Sequence, residues 1–88
     1  VILSTAQYSV SATPVRVVAS NEVGRHVYIN CTTNSDFYIG PTNAVSSTTG
    51  FFVAKTAADL MIQMDANDEL WAVMASGTHT VSVLQVTL

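Results

Sequence analysis

Charge is what this chain has least of. Asp, Glu, Lys and Arg make up 10% of the residues, against roughly 25% in an ordinary soluble domain. The only cations are Arg16, Arg25 and Lys55, and the net charge is −3. That excludes a nucleic-acid binder, whose affinity comes from many Lys and Arg neutralising phosphates. Cysteine is nearly missing as well. Cys31 stands alone, so no disulfide framework and no cysteine-based metal set can be built within the chain. No apolar run approaches the ~20 residues that span a bilayer as a helix. The opening Val-Ile-Leu-Ser has neither the basic region nor the apolar core of a signal peptide. Apolar spacing of the helical kind is absent over any useful length, and glycine is too sparse for a loop that cradles phosphate.

What is present is strand-forming. Hydrophobic residues make up 49% of the 88 positions, and most of the rest is Ser, Thr and Asn. A chain of this length holds one core and buries only around 60–65% of its unfolded surface. With so little charge to keep copies apart, it reads as a protein whose surface is largely covered by neighbours.

The stretch from His26 to Gly40 organises the reading. Val27, Ile29 and Cys31 alternate in its first half, Phe37 and Ile39 in its second. A period of two marks strands with one buried face. Pairing Val27 with Ile39 and Ile29 with Phe37 keeps all four on the core side. The same register sets Tyr28 opposite Tyr38 on the outer side and closes at Cys31 and Ser35. Thr32-Thr33-Asn34 is then a three-residue hairpin loop, whose last position wants a left-handed residue, and Asn tolerates that.

The remainder alternates in the same way. Residues 6–11 carry Tyr8 and Val10 in phase, and Val15 to Ala19 make a second strand after Pro14. Residues 1–13 read as an N-terminal strand or arm suited to exchange with a neighbouring subunit, and 14–88 as a single domain. Residues 41–50 form a Thr, Asn, Ser and Gly loop, and Lys55 to Asp59 a turn. Leu60, Ile62 and Met64 share one parity, which Leu70, Ala72 and Met74 resume after the turn at Asp65 to Glu69. Ser76-Gly77 suits a two-residue hairpin loop, placing Leu70 opposite Val83 and Ala72 opposite Val81. Trp71 and Val73 fall on the other face. The parity then flips to Leu84, Val86 and Leu88, for which a bulge near Leu84, or a strand passing between layers, is the expected cause. The predicted fold is all-β: a small antiparallel β-sandwich, or barrel-like sandwich, of about seven to eight short strands.

Residue types that carry chemistry do not assemble. His26 and His79 lack a second ligand at metal spacing and read as surface histidines. Asp65, Asn67, Asp68 and Glu69 have the oxygens of a calcium loop but not its Gly and closing Glu, so a solvated turn is expected. Cys31 has the parity of a packed thiol. No catalytic residue, metal or cofactor is predicted, and the protein reads as no enzyme. The candidate contact residues are Tyr28, Tyr38 and Trp71, outward-facing aromatics of the kind favoured at interfaces. They could equally cover the 41–50 loop, or stack on sugar.

Residues Val27-Tyr-Ile-Asn and Asp36-Phe-Tyr-Ile-Gly40 resemble a hairpin pattern of small virion proteins of tailed bacteriophages. The likeness continues through Thr48-Thr-Gly-Phe-Phe52, Leu60-Met-Ile62, Glu69-Leu-Trp-Ala72, Ser76-Gly-Thr78 and Val81-Ser-Val-Leu84. Pro41 and Trp71 depart from that pattern. The resemblance implies a capsid decoration or cement protein on the capsid exterior, partnered by the major capsid protein and by copies of itself, with trimers common. A carbohydrate-binding or host-adhesion module of a fibre or tail is the alternative it leaves open.

Overall fold

Alternation of apolar and polar residues every second position forces each extended segment to bury one face, and two such sheets bury theirs against each other. The computed structural model, which describes residues 2–55 and 60–88, is this two-layer arrangement, a small all-β sandwich. In chain order the strands are β1 (Ile2–Val10), β2 (Val15–Val18), β3 (Arg25–Cys31), β4 (Phe37–Gly40), β5 (Phe51–Val53), β6 (Met61–Met64), β7 (Leu70–Val73) and β8 (His79–Thr87). One four-stranded antiparallel sheet, sheet A, has the order β1-β8-β3-β6; the other, sheet B, has the order β2-β7-β4-β5. Of the expected turn from Lys55 to Asp59, residues 56–59 lie outside the described residues.

The faces are those that alternation dictates. Val27, Ile29, Phe37, Ile39, Leu70, Ala72, Val81 and Val83 are all buried in one core, with Leu60, Ile62 and Tyr8 packed against its margin. At β2 the register shifts between Arg16 and Val18, so that the consecutive Val17 and Val18 are both fully buried. An extra residue of this kind lets neighbours in sequence turn the same way.

The pairing is where expectation and structure part. β3 and β4 lie in different sheets, and so do β7 and β8; only β4 and β5 pair with their sequence neighbour. Val27 pairs with Gln85 and Ile62, not with Ile39; Ile29 pairs with Val83, not with Phe37. Leu70 pairs with Val18 and Ala72 with Val15 and Ile39, not with residues of β8. The expected hairpins are instead arches that carry the chain from one layer to the other. An arch and a hairpin bury the same alternate residues. In the arch each strand is rolled so that its apolar row points across the core at the other. Parity cannot tell the two apart.

The turn chemistry survives this correction. Asn34 has φ 62°, Asn67 has φ 70° and Gly77 has φ 74°, so each of these three crossings has one residue in the left-handed region. Asn34→Gly is therefore expected to be neutral or slightly stabilising. Asn34→Val, which forces a β-branched residue to positive φ, is expected to cost about 1–2 kcal/mol in urea unfolding.

The parity change at Leu84 has a simpler origin than a bulge or a strand passing between layers. β8 pairs without interruption along β1, from Ile2 with Thr87 to Val10 with His79, and along β3 from Arg25 to Cys31. Leu84 and Val86 therefore sit on the outer face of sheet A, where they are half-buried. They are the first sign that this outer face is apolar.

Candidate surface site on sheet A

The register places the outward side chains of sheet A in rows that cross all or most of its strands. One row is Leu3, Val86, His26 and Gln63; the next is Thr5, Leu84, Tyr28 and Met61; the third is Gln7, Ser82 and Asn30. No Asp, Glu, Lys or Arg occupies any outward position of the four strands. Leu3, Tyr28 and Met61 are exposed. Beside them Thr5, Gln7, Asn30, Ser82 and Leu84 line a shallow concavity with Tyr28 at one wall. This face can offer apolar contact and neutral hydrogen bonds, and nothing ionic.

Of the three predicted contact residues, only Tyr28 is on this face. Tyr38 and Trp71 belong to sheet B, on the opposite side of the molecule, with Trp71 across from Gly40 and Arg16 and Tyr38 across from Val73 and Phe52. The expected Tyr28–Tyr38 neighbourhood does not form, because the strands that carry them are not paired. Tyr38 instead meets Phe52 edge-on, with ring centroids 5.5 Å apart, a favoured aromatic geometry. The Trp71 indole donates to Glu69 Oε1 at 3.2 Å, and Glu69 Oε2 accepts from Arg16 at 3.3 Å. Covering of the outer face by residues 41–50 is observed for sheet B: Val45 is buried and lies against Gly40 and Gly50. A stacking platform of all three aromatics is ruled out by this geometry.

The residues missed from sequence are Leu3, Met61, Leu84 and Val86. The signal for the last two is the parity change, which alternation alone reads as a bulge or a strand passing between layers.

Arg25 was also missed. The sequence shows it only as one of three scattered cations, yet it is 1% exposed. Inward parity at the end of sheet A carries its guanidinium between two loops, where it donates to the carbonyl of Ala19 and, at 2.9 Å, to that of Asp68. Its Nε is buried without a partner among the described residues. The same two loops are joined by the Asn67 N–H donating to the Asn21 carbonyl. In the turn itself the Asp65 N–H donates to the Asp68 carboxylate at 2.9 Å, so these acids organise a turn above a buried cation.

At the other end of the sandwich Cys31, Thr33 and His79 form a chain of contacts. Thr33 Oγ1 is 3.6 Å from Cys31 Sγ and 3.1 Å from His79 Nδ1, and accepts from the Thr80 N–H at 3.2 Å. The cluster ties the β3–β4 arch to the start of β8. Cys31 is half-buried at the core's edge rather than enclosed. Among the described residues no three of His, Cys, Asp and Glu come together as a metal set.

No protein-family model matches this sequence, and no curated protein matches it. Among solved structures, the chain is similar to PliG of Aeromonas hydrophila, a periplasmic inhibitor of g-type lysozyme. The two are 12% identical with a TM-score of 0.47, over 98% of this chain and 86% of that one. The expectation of a capsid decoration or cement protein, and its adhesion alternative, find no support in this comparison, whose matching structure is a lysozyme inhibitor. Both expectations are corrected to the coarser statement that the chain is a small β-sandwich. At that identity and TM-score, what PliG binds is a property of PliG.

Proposed function

We propose that this chain is a non-enzymatic protein-contact module, which works by presenting the outer face of sheet A to another protein inside a larger assembly. The observation that carries the reading is the absence of any charged residue from every outward position of that face; among the described residues the few charges lie in loops, on sheet B or, as Arg25, inside. Interface centres are depleted of charge and enriched in Tyr and Met, as the row of Leu84, Tyr28 and Met61 is.

The test places a photo-crosslinking phenylalanine derivative at position 28, and separately at position 71, in the producing cells. A dominant protein adduct from position 28 and none from position 71 is the expected result. Leu84→Glu should abolish that adduct while leaving the thermal midpoint within a few degrees, since the side chain is half-buried on an outer face. Equal labelling from both positions, or labelling indifferent to Leu84→Glu, would remove the proposal.

A further inference from the structure

A sheet ends in unpaired backbone N–H and C=O groups, and folded proteins guard such edges with shortness, charge, proline or bulges. Among the described residues the sandwich has four edge strands, β1 and β6 on sheet A and β2 and β5 on sheet B. Three are guarded. β6 has 4 residues. β2 has 4 residues, with Arg16 and a register shift. β5 has 3, with Lys55 just past its end. The fourth is not. β1 runs for 9 residues, Ile-Leu-Ser-Thr-Ala-Gln-Tyr-Ser-Val, with no charge, proline or glycine and no irregularity in its register with β8.

β1 also overhangs. Its even-numbered residues face sheet B, and Val10 and Tyr8 are covered there, but Ile2 at the far end is 69% exposed. The cause is length: the strands of sheet B have 3 or 4 residues, against 9 in β1 and β8. The inner face of the β1–β8 ribbon therefore continues past the layer that should cover it.

We propose that β1 is a pairing edge for a second copy of this chain, the two β1 strands running antiparallel about a two-fold axis at Ala6. This inference rests on the edge and its overhang, not on the outer face proposed above. Antiparallel self-pairing must match inward residues with inward ones, since a slip of one residue would turn each apolar row to the wrong side. Centring on Ala6 is the register that pairs all nine residues: Ile2 with Val10, Leu3 with Ser9, Ser4 with Tyr8 and Thr5 with Gln7 of the second copy. It seats the exposed Ile2 beside the covered end of the second β1, where sheet B is present. The product is one continuous eight-stranded sheet with both smaller sheets on the same side. A second copy fits better than an unrelated strand because one symmetric contact covers both overhangs at once. The lack of charge along β1 lets two molecules of net charge −3 meet there without opposed carboxylates.

The pair Thr5 and Gln7 gives a test specific to this register. Both are exposed and outward, so charges there leave the core and the β1–β8 ladder in place. Sedimentation equilibrium of the full chain should show a monomer–dimer equilibrium that shifts with concentration. Thr5→Lys combined with Gln7→Lys sets like charges opposite each other twice and should weaken the dimer roughly ten-fold. Thr5→Lys combined with Gln7→Glu sets opposite charges in the same places and should restore it, at a circular dichroism spectrum unchanged throughout. A wild-type chain that stays monomeric across the concentration range overturns the proposal. So does a dimer indifferent to the double lysine change. A mixed-charge variant as weak as the double lysine variant overturns the register and with it the two-fold at Ala6. Should the double lysine variant fail to fold, the mixed-charge variant against wild type still decides, since tighter association is expected of it.

Discussion

Arg25→Ala is expected to cost about 3–5 kcal/mol of stability, the largest effect of any exchange outside the apolar core. Two hydrogen bonds from a charged donor, worth about 1.5–3 kcal/mol each, are lost together. The carbonyls of Ala19 and Asp68 that accept them belong to different loops, so the loss also uncouples the loops. Part of this is offset, because removing a buried charge with no carboxylate partner among the described residues relieves its desolvation cost. A domain of this length has about 4–13 kcal/mol in all, and a fall in melting temperature of roughly 12–25 °C should follow. Arg25→Met separates volume from bonding. It fills most of the space and donates nothing, so it should recover about half of the loss. Melting curves of the two variants check this. A methionine variant as stable as wild type would show that the guanidinium serves only as filler, and an alanine variant within about 0.5 kcal/mol of wild type would show that water replaces both bonds.

Gly50→Ala is the second large effect, and it is steric. A Cβ built at Gly50 would lie 2.8 Å from the Ser46 carbonyl oxygen, 2.8 Å from Tyr38 Cβ and 2.8 Å from Val45 Cγ2. Only the last of these can swing aside. The Ser46 oxygen is held by the Gly50 N–H itself at 2.8 Å, and Tyr38 is fixed within β4. Forcing a methyl into such a site costs about 1–3 kcal/mol, and the upper end is expected because two of three obstacles are rigid. Adding Val45→Ala should return a part of the loss and no more. Gly24→Ala is the control, since its added Cβ would meet only the Met64 carbonyl at an ordinary 3.4 Å, and it should be near neutral. Urea unfolding followed by Trp71 fluorescence measures all three. If Gly50→Ala matched Gly24→Ala, segment 41–50 would not be packed on sheet B as described.

Both effects fall on residues whose importance the sequence concealed. Arg25 is one of three scattered cations in the sequence, and Gly50 only closes the polar stretch 41–50. Burial of Arg25 depends on where residues 19–24 and 65–69 meet, and the closeness of Gly50 to Tyr38 depends on a segment folding back over β4. Those are meetings of distant parts of the chain, and no local pattern encodes them. The candidate face was half legible for the same reason. Tyr28 was assigned outward by alternation alone, and correctly. Its neighbours Leu84 and Met61 come from strands that pair with β3 only in the folded sheet.

By itself the sequence determined which alternate apolar residues of the strands face the core, where the chain turns and that it turns with Asn34 and Gly77, because a period of two and a left-handed backbone position are local demands on local residues. Only the tertiary structure decided which strand lies beside which, and hence that Tyr28 and Tyr38 stand on opposite faces. Hydrogen-bond partners across a sheet are chosen by how each strand rolls between two layers, and a strand that rolls into an arch exposes the same alternation of side chains as one that folds into a hairpin.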